Sequence, residues 1–171
     1  MKPISFQSDV LPLKNELFRM ALRITKNREE AEDVVQETMI KVWNRRDQWA
    51  QLESIEAFCL TICRNLSLDK LRRMDNQTQS LGDDIDPTDL SHTSNPEQVA
   101  IQNDRRQMVR QLIDELPERL RTCMQLRDIE GKSYRDIATI LDITEQQVKV
   151  NIFRARQAVR ERYLKIEKVR G

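Results

Sequence analysis

Gln146, Lys149, Val150, Phe153, Arg154 and Gln157 fall on one side of a segment whose other side carries Val148, Ile152, Ala155, Val159, Tyr163 and Ile166. The second set repeats at i, i+4 and i+7, the spacing of a buried helical stripe. The first set is then the outward arc of the same helix. Gln, Lys and Arg can reach base edges or phosphates, and Val and Phe can touch thymine methyl groups. An outward Phe153 costs solubility unless something covers it. Arg156 and Arg160 lie further round and further along, where phosphates are the partners within reach. The chemistry on offer is nucleic-acid recognition.

A shorter helix must hold this arc in place. Ser133 and Asp136 form a capping pair, and Tyr134, Ile137, Ala138 and Leu141 make an inner face. Only Asp142 and Ile143 intervene before Thr144 and Gln147 form a second capping box and open the next helix. Helices joined by so short a turn cross steeply, and Ala138 is small enough to permit close approach. This is the helix-turn-helix pattern, whose second helix enters a major groove. Its usual turn glycine is absent, and Asp142 stands in that vicinity. A plain helical hairpin with a basic surface would share the spacing.

Charge separation adds to the case. Residues 148–170 hold eight bases against two acids, whereas residues 75–97 hold six acids and neither Lys nor Arg. A basic end of this kind suits a polyanion.

The 171 residues suffice for one ordinary domain or two small ones. With 33% charged residues, 3 Gly and 5 Pro, the composition favours helices over sandwiches or barrels. No apolar run approaches the ~18 residues of a membrane span, and the opening MKPISFQSDV lacks the apolar core of a secretion signal. Three cysteines, an odd count without CxxC spacing, fit a reduced, cytoplasmic protein. A single histidine, His92, leaves almost no material for triads or His-rich metal sites. No enzyme, metal or cofactor is expected.

The segment 75–97 is rich in Asp, Ser, Thr and Asn, with Gly82, Pro87 and Pro96, and reads as a flexible acidic linker. It separates two small helical domains, 1–74 and 98–171. In the first, Leu13, Leu17, Ala21 and Ile24 mark a helix over about Leu11 to Thr25. Asn27 and Glu30 cap the next, which buries Ala31, Val34, Val35, Thr38 and Val42 and leaves Glu30, Asp33 and Glu37 outside, with Glu37 and Lys41 spaced as an i,i+4 pair. Ser54 opens a third, with Ile55, Phe58, Cys59, Ile62 and Leu66 inward and Lys70, Arg72 and Arg73 at its end. Cys59 and Cys63, one turn apart, read as small buried hydrophobes. In the second domain a helix runs from near Glu97 to about Glu115, Pro117 opens another, and Gly131 ends it.

Taken in order, three stretches resemble the extracytoplasmic-function group of bacterial RNA polymerase sigma factors. They are AEDVVQETMIKVW (31–43), AFCLTICRNLSLDKLRR (57–73) and LPERLRTCMQLRDIEGKSYRDIATILDITEQQVKVNIFRARQAV (116–159). The resemblance implies a core-polymerase-binding helix, a helix and loop that melt and read the minus-ten element, and a minus-thirty-five-binding domain. Carried onto this chain, the polymerase clamp surface falls on Asp33, Gln36 and Glu37, and the pocket for a flipped base on Asn65. The major-groove readers fall on Lys149, Val150, Phe153 and Arg154, with Gln146 on the same arc. Arg72, Arg73, Arg156 and Arg160 would hold phosphates. Core RNA polymerase, duplex and melted promoter DNA, and an anti-sigma factor are the implied partners. Met39 stands where the family often has Phe, Phe58 replaces a common Trp, and Val150 and Asn151 stand where Arg or Ser is frequent. Two rivals remain: a one-component regulator with an N-terminal sensing or dimerisation domain, and a helical adaptor with no DNA role.

Overall fold

The computed structural model of the chain describes residues 3–80 and 101–170. Within them run seven α-helices: α1 Lys14–Thr25, α2 Arg28–Asn44, α3 Ile55–Ser80, α4 Ile101–Asp114, α5 Glu118–Met124, α6 Tyr134–Leu141 and α7 Glu145–Arg170. Short 3₁₀ or π-type turns fill several joints, and no strand occurs among the described residues. The expected linker begins inside α3, because MDNQTQS offers neither Gly nor Pro to stop the helix before Ser80. Residues 81–97, with His92, lie outside the described residues.

Helices α1, α2 and α3 pack against one another. Leu13, Leu17, Ala21 and Ile24 are buried as their spacing requires, and Met20 joins them. The whole predicted face of α2 is buried, as are Cys59, Ile62 and Leu66 on α3. Each large side chain so buried stabilises by roughly 1.5–3 kcal/mol. The helix ends are closed locally. Asn27 Oδ1 accepts the Glu30 N–H at 3.0 Å, and Ser54 Oγ accepts the Ala57 N–H at 3.1 Å. The Glu30 carboxylate turns away from the cap toward Lys70, 3.5 Å off. Trp49 Nε1 donates to the Val42 carbonyl at 3.1 Å, serving the C-terminal end of α2.

In the second group, α4 and α7 enclose Leu112, Ile113, Leu116, Ala155 and Val159. Helix α5 passes into a π-type turn at Gln125–Ile129, and Gly131, at φ +72°, ends the segment.

The two groups share one core. Cys123, Leu126, Ile137, Ile140, Leu141, Val148 and Ile152 cluster with the apolar faces of α1, α2 and α3. Ile140, off the expected inner face, is 2% exposed because α6 packs against α3 as well as α7. Ion pairs ring this seam, and their burial decides their weight. Arg64 holds Glu118 bidentately at 3.0 and 2.9 Å, with side chains 10% and 17% exposed. Lys132 lies 2.8 Å from Glu16 and 2.7 Å from Glu56. Burial alone would lower the Lys132 ammonium, but the two carboxylates outweigh it and hold the pKa above the usual lysine value. The Arg135–Glu53 pair, 73% and 82% exposed, contributes little. Arg121, 4% exposed, donates to the carbonyls of Asp114 and Leu116 at 3.0 and 3.1 Å and across the seam to that of Ile24 at 3.2 Å.

The turn between α6 and α7 explains how a chain lacking the turn glycine still makes it. Asp142 adopts the left-handed conformation at φ 56°, ψ 52°. Its N–H donates to the Thr139 carbonyl at 3.3 Å, and the Ile143 N–H to the Ala138 carbonyl at 3.0 Å. This is the Schellman closure, which usually takes glycine at this position. Asp tolerates the region better than most residues, but a side chain still costs free energy there. Asp142→Gly should therefore stabilise the fold by about 0.5–1 kcal/mol. Thermal and urea melts check this, the expected result being a higher midpoint with an unchanged urea slope.

Candidate nucleic-acid interface

The N-terminus of α7 is fixed by a reciprocal capping box. Thr144 Oγ1 accepts the Gln147 N–H at 3.1 Å, while Gln147 Oε1 accepts the Thr144 N–H at 2.9 Å. Below the helix Val148, Ile152, Ala155 and Val159 are buried, which fixes its rotation. The opposite arc is then forced outward: Gln146, Lys149 and Arg154 are exposed, Val150 is 40% exposed and Phe153 66%. Phe153 and Val150 are thus apolar side chains open to solvent between the basic Lys149 and Arg154.

The arginines of this half divide by what they hold. Arg156 sends Nε to Asp128 Oδ2 at 3.0 Å and makes a second, shorter contact with the same carboxylate. Arg162 pairs with Glu115 at 2.8 Å, and Arg127 stacks over the Tyr134 ring, 4.3 Å from its centroid. Lys149 Nζ lies 5.5 Å from the same centroid. Arg119, Arg154 and Arg160 make no hydrogen bond or ion pair among the described residues. The sequence offered no sign that Arg156 has a partner, since Asp128 precedes it by 28 residues. Tyr134, expected on the inner face, is half-buried and serves as a platform for two cations.

On α3, Asn65 is exposed between buried Arg64 and Leu66, and its amide makes no hydrogen bond among the described residues. Arg72 contacts Asp69 one turn back, and Arg73 is exposed and makes no hydrogen bond or ion pair among the described residues. A cleft of about 1060 Å³ opens at the seam between Gln51–Phe58 and the α6 residues Arg135, Asp136 and Thr139. Asn65 does not line it.

On α2, Asp33, Gln36 and Glu37 are exposed opposite the buried face. Ile40, one turn further and 60% exposed, continues that side, a residue that the i+3, i+4 spacing could have named. The expected Glu37–Lys41 pair is not made; such a solvated i,i+4 pair is worth only about 0.3–0.5 kcal/mol, so little holds it. Arg28 and Glu32 make such a pair instead, at 3.4 Å.

Cys59, Cys63 and Cys123 are buried free thiols. Burial pushes the first two up to about 12 and the third to about 11. Among the described residues no group of three His, Cys, Asp or Glu side chains could hold a metal ion. No described helix is long and apolar enough to cross a membrane.

Comparison with known proteins bears on the whole arrangement. Residues 10–77 match the family described as Sigma-70 region 2, and residues 106–159 that described as Sigma-70, region 4. The chain is 33% identical over 148 residues to the ECF RNA polymerase sigma factor SigE of Mycolicibacterium smegmatis, which covers 86% of this chain and 57% of that protein. It thus spans little more than half the length of that relative. It is 32% identical over 136 residues to the ECF RNA polymerase sigma-E factor of Escherichia coli, which covers 74% of this chain and 70% of that one. Its fold is similar to that of the sigma factor RpoE of Bartonella quintana, solved in complex with the anti-sigma factor NepR. The TM-score is 0.71 at 24% identity, over 91% of this chain and 94% of that one. Two helical groups, matched in order to regions 2 and 4, place the protein: it belongs to the extracytoplasmic-function group of RNA polymerase sigma factors.

Proposed function

We propose that the chain binds core RNA polymerase and directs it to particular promoters by contacting a minus-ten and a minus-thirty-five element, without being catalytic itself. It acts in the cytoplasm, where polymerase and chromosome are. The observation that carries this reading is the outer arc of α7, where a two-thirds-exposed Phe153 sits beside an unengaged Arg154 on a helix whose rotation the core fixes. Neither rival needs that arrangement together with an acidic, uncommitted α2 face. Two modest DNA contacts on one chain bind together far better than either alone. Regulation by an anti-sigma factor fits the same reading, as in the Bartonella complex.

Three surfaces carry the roles. Asp33, Gln36 and Glu37 face the polymerase clamp. Asn65, exposed between buried neighbours on α3 and with no hydrogen bond among the described residues, reads an unstacked base of the melted strand, and Arg73 holds the backbone further along the helix. Lys149, Val150, Phe153 and Arg154 read the major groove, with Gln146 at its edge.

Asp33→Lys with Glu37→Lys should abolish binding to core polymerase, because neither side chain contributes to packing. A pull-down with core enzyme beside a thermal melt measures this. Normal complex formation, or simple unfolding, would remove the face from the polymerase contact.

Asn65→Ala should weaken promoter opening and blur selection at one minus-ten position while leaving duplex binding unchanged. Permanganate footprinting across a promoter library reads the effect. Unaltered opening and preference would return Asn65 to the solvated surface.

Arg154→Ala should cost about 1–3 kcal/mol on the preferred minus-thirty-five site and change which sequence is preferred. Arg160→Ala should lower affinity for all sequences alike. Binding to a randomised duplex at two salt concentrations separates them. Identical behaviour of the two variants would mean that α7 does not enter the groove in this orientation.

A further inference from the structure

Val150 and Phe153 are three residues apart on α7, so their side chains are neighbours, with roughly 5–6 Å between Cβ atoms. Both are exposed, Phe153 by two thirds. A single exposed apolar side chain is ordinary, but these two adjoin. The polar side chains beside them turn elsewhere. Asn151 Nδ2 approaches the sulfur of buried Cys123 at 3.8 Å, and the Lys149 ammonium lies 5.5 Å from the centre of the Tyr134 ring. Gln147 is spent on the capping box with Thr144. Gln146 and Arg154, one turn either side of Val150, remain exposed. The middle of the arc is thus an apolar pair with polar groups at its ends.

A base pair shows the major groove one apolar group, the C5-methyl of thymine; its other features there are donors and acceptors. An apolar side chain pressed against a donor or acceptor takes its water away and offers no partner in return. The same side chain against a methyl group removes water from two apolar surfaces. Successive bases on one strand rise about 3.4 Å, so two side chains this close can cover neighbouring base pairs but not distant ones.

We propose that Val150 and Phe153 select thymine by its methyl group, so that the preferred minus-thirty-five element carries thymines at two adjoining base pairs. The proposal rests on the reading of α7 as the duplex-binding helix and names the base chemistry that the middle of that helix selects. Arg or Ser at position 150 would offer a hydrogen bond instead, so the contact depends on the valine of this chain. Arg154 and Gln146 read the base edges on either side.

The test uses the full chain and a duplex carrying the site selected from a randomised library. Each thymine of that site is replaced in turn by deoxyuridine, which pairs alike and lacks only the methyl group. For the parent, replacement at two adjoining base pairs should weaken binding about fourfold each, the effect of burying one methyl-sized group. Replacement of thymines elsewhere in the site should leave binding unchanged. In Val150→Ala one of the two penalties should shrink toward unity while the other stays. Each penalty is a ratio taken within one protein, so a general loss of affinity or stability in the variant cancels. If no deoxyuridine weakens the parent while Arg154→Ala still changes the preferred sequence, the methyl contact is overturned and the α7 reading stands. If neither change has an effect, the α7 reading falls as well. A selected site without adjoining thymines overturns the proposal. So do penalties that persist undiminished in Val150→Ala, which would assign the methyl effect to DNA shape.

Discussion

One buried guanidinium joins the two halves of this protein. Arg121 donates to the carbonyls at the end of α4, and across the seam to Ile24 near the end of α1. Those carbonyls would otherwise be orphan acceptors at helix C-termini, each costing on the order of 1–3 kcal/mol if left dry. Burial pushes the Arg121 pKa down from its ordinary value, yet a guanidinium stays charged at any physiological pH. A cation facing the negative ends of two helices is the arrangement the helix dipole favours. Helix α5 is thereby pinned, and with it Glu118 on the seam side. The buried Arg64–Glu118 pair and the shared apolar cluster complete the joint.

The same joint sets the limits of what could be read from the chain alone. Caps and stripes are local, so Asn27, Ser54, Ser133 and Thr144 were all legible, as were the buried faces of α1, α2 and α7. Those stripes also oriented the outer arcs, which is why Asp33, Gln36, Glu37, Phe153 and Arg154 stand exposed as their spacing requires. The seam was illegible because its partners lie far apart in the chain: 111 residues separate Arg19 from Glu130, and 54 separate Arg64 from Glu118. A charged residue in sequence looks solvated by default. For the same reason Arg156 reads as free in the sequence but rests on Asp128 in the fold. Helix α3 outran its expected end because polarity alone does not break a helix.

In this chain the cations divide into those spent on the fold and those left to solvent. Arg23 bonds Gln125 at 3.0 Å and Asp114 at 2.8 Å, Arg19 bonds Glu130, and Lys132 bridges two carboxylates. Those cations hold the fold. Arg73, Arg119, Arg154 and Arg160 make no hydrogen bond or ion pair among the described residues. Occupation thus sorts the basic residues into those that hold the fold and those left to solvent, a division that a net charge of +1 does not show.

The three buried thiols give the molecule a property unrelated to promoters. Burial pushes Cys59 and Cys63 up to about 12 and Cys123 to about 11, so all three are thiols rather than thiolates at neutral pH. An electrophile therefore finds almost nothing to attack while the chain is closed, and rapid modification reports only on opening. Two of these thiols sit in the first helical group and one in the second, beneath α7, where Asn151 Nδ2 approaches the Cys123 sulfur at 3.8 Å. Alkylation followed cysteine by cysteine would act as a stopwatch, timing which half breathes first.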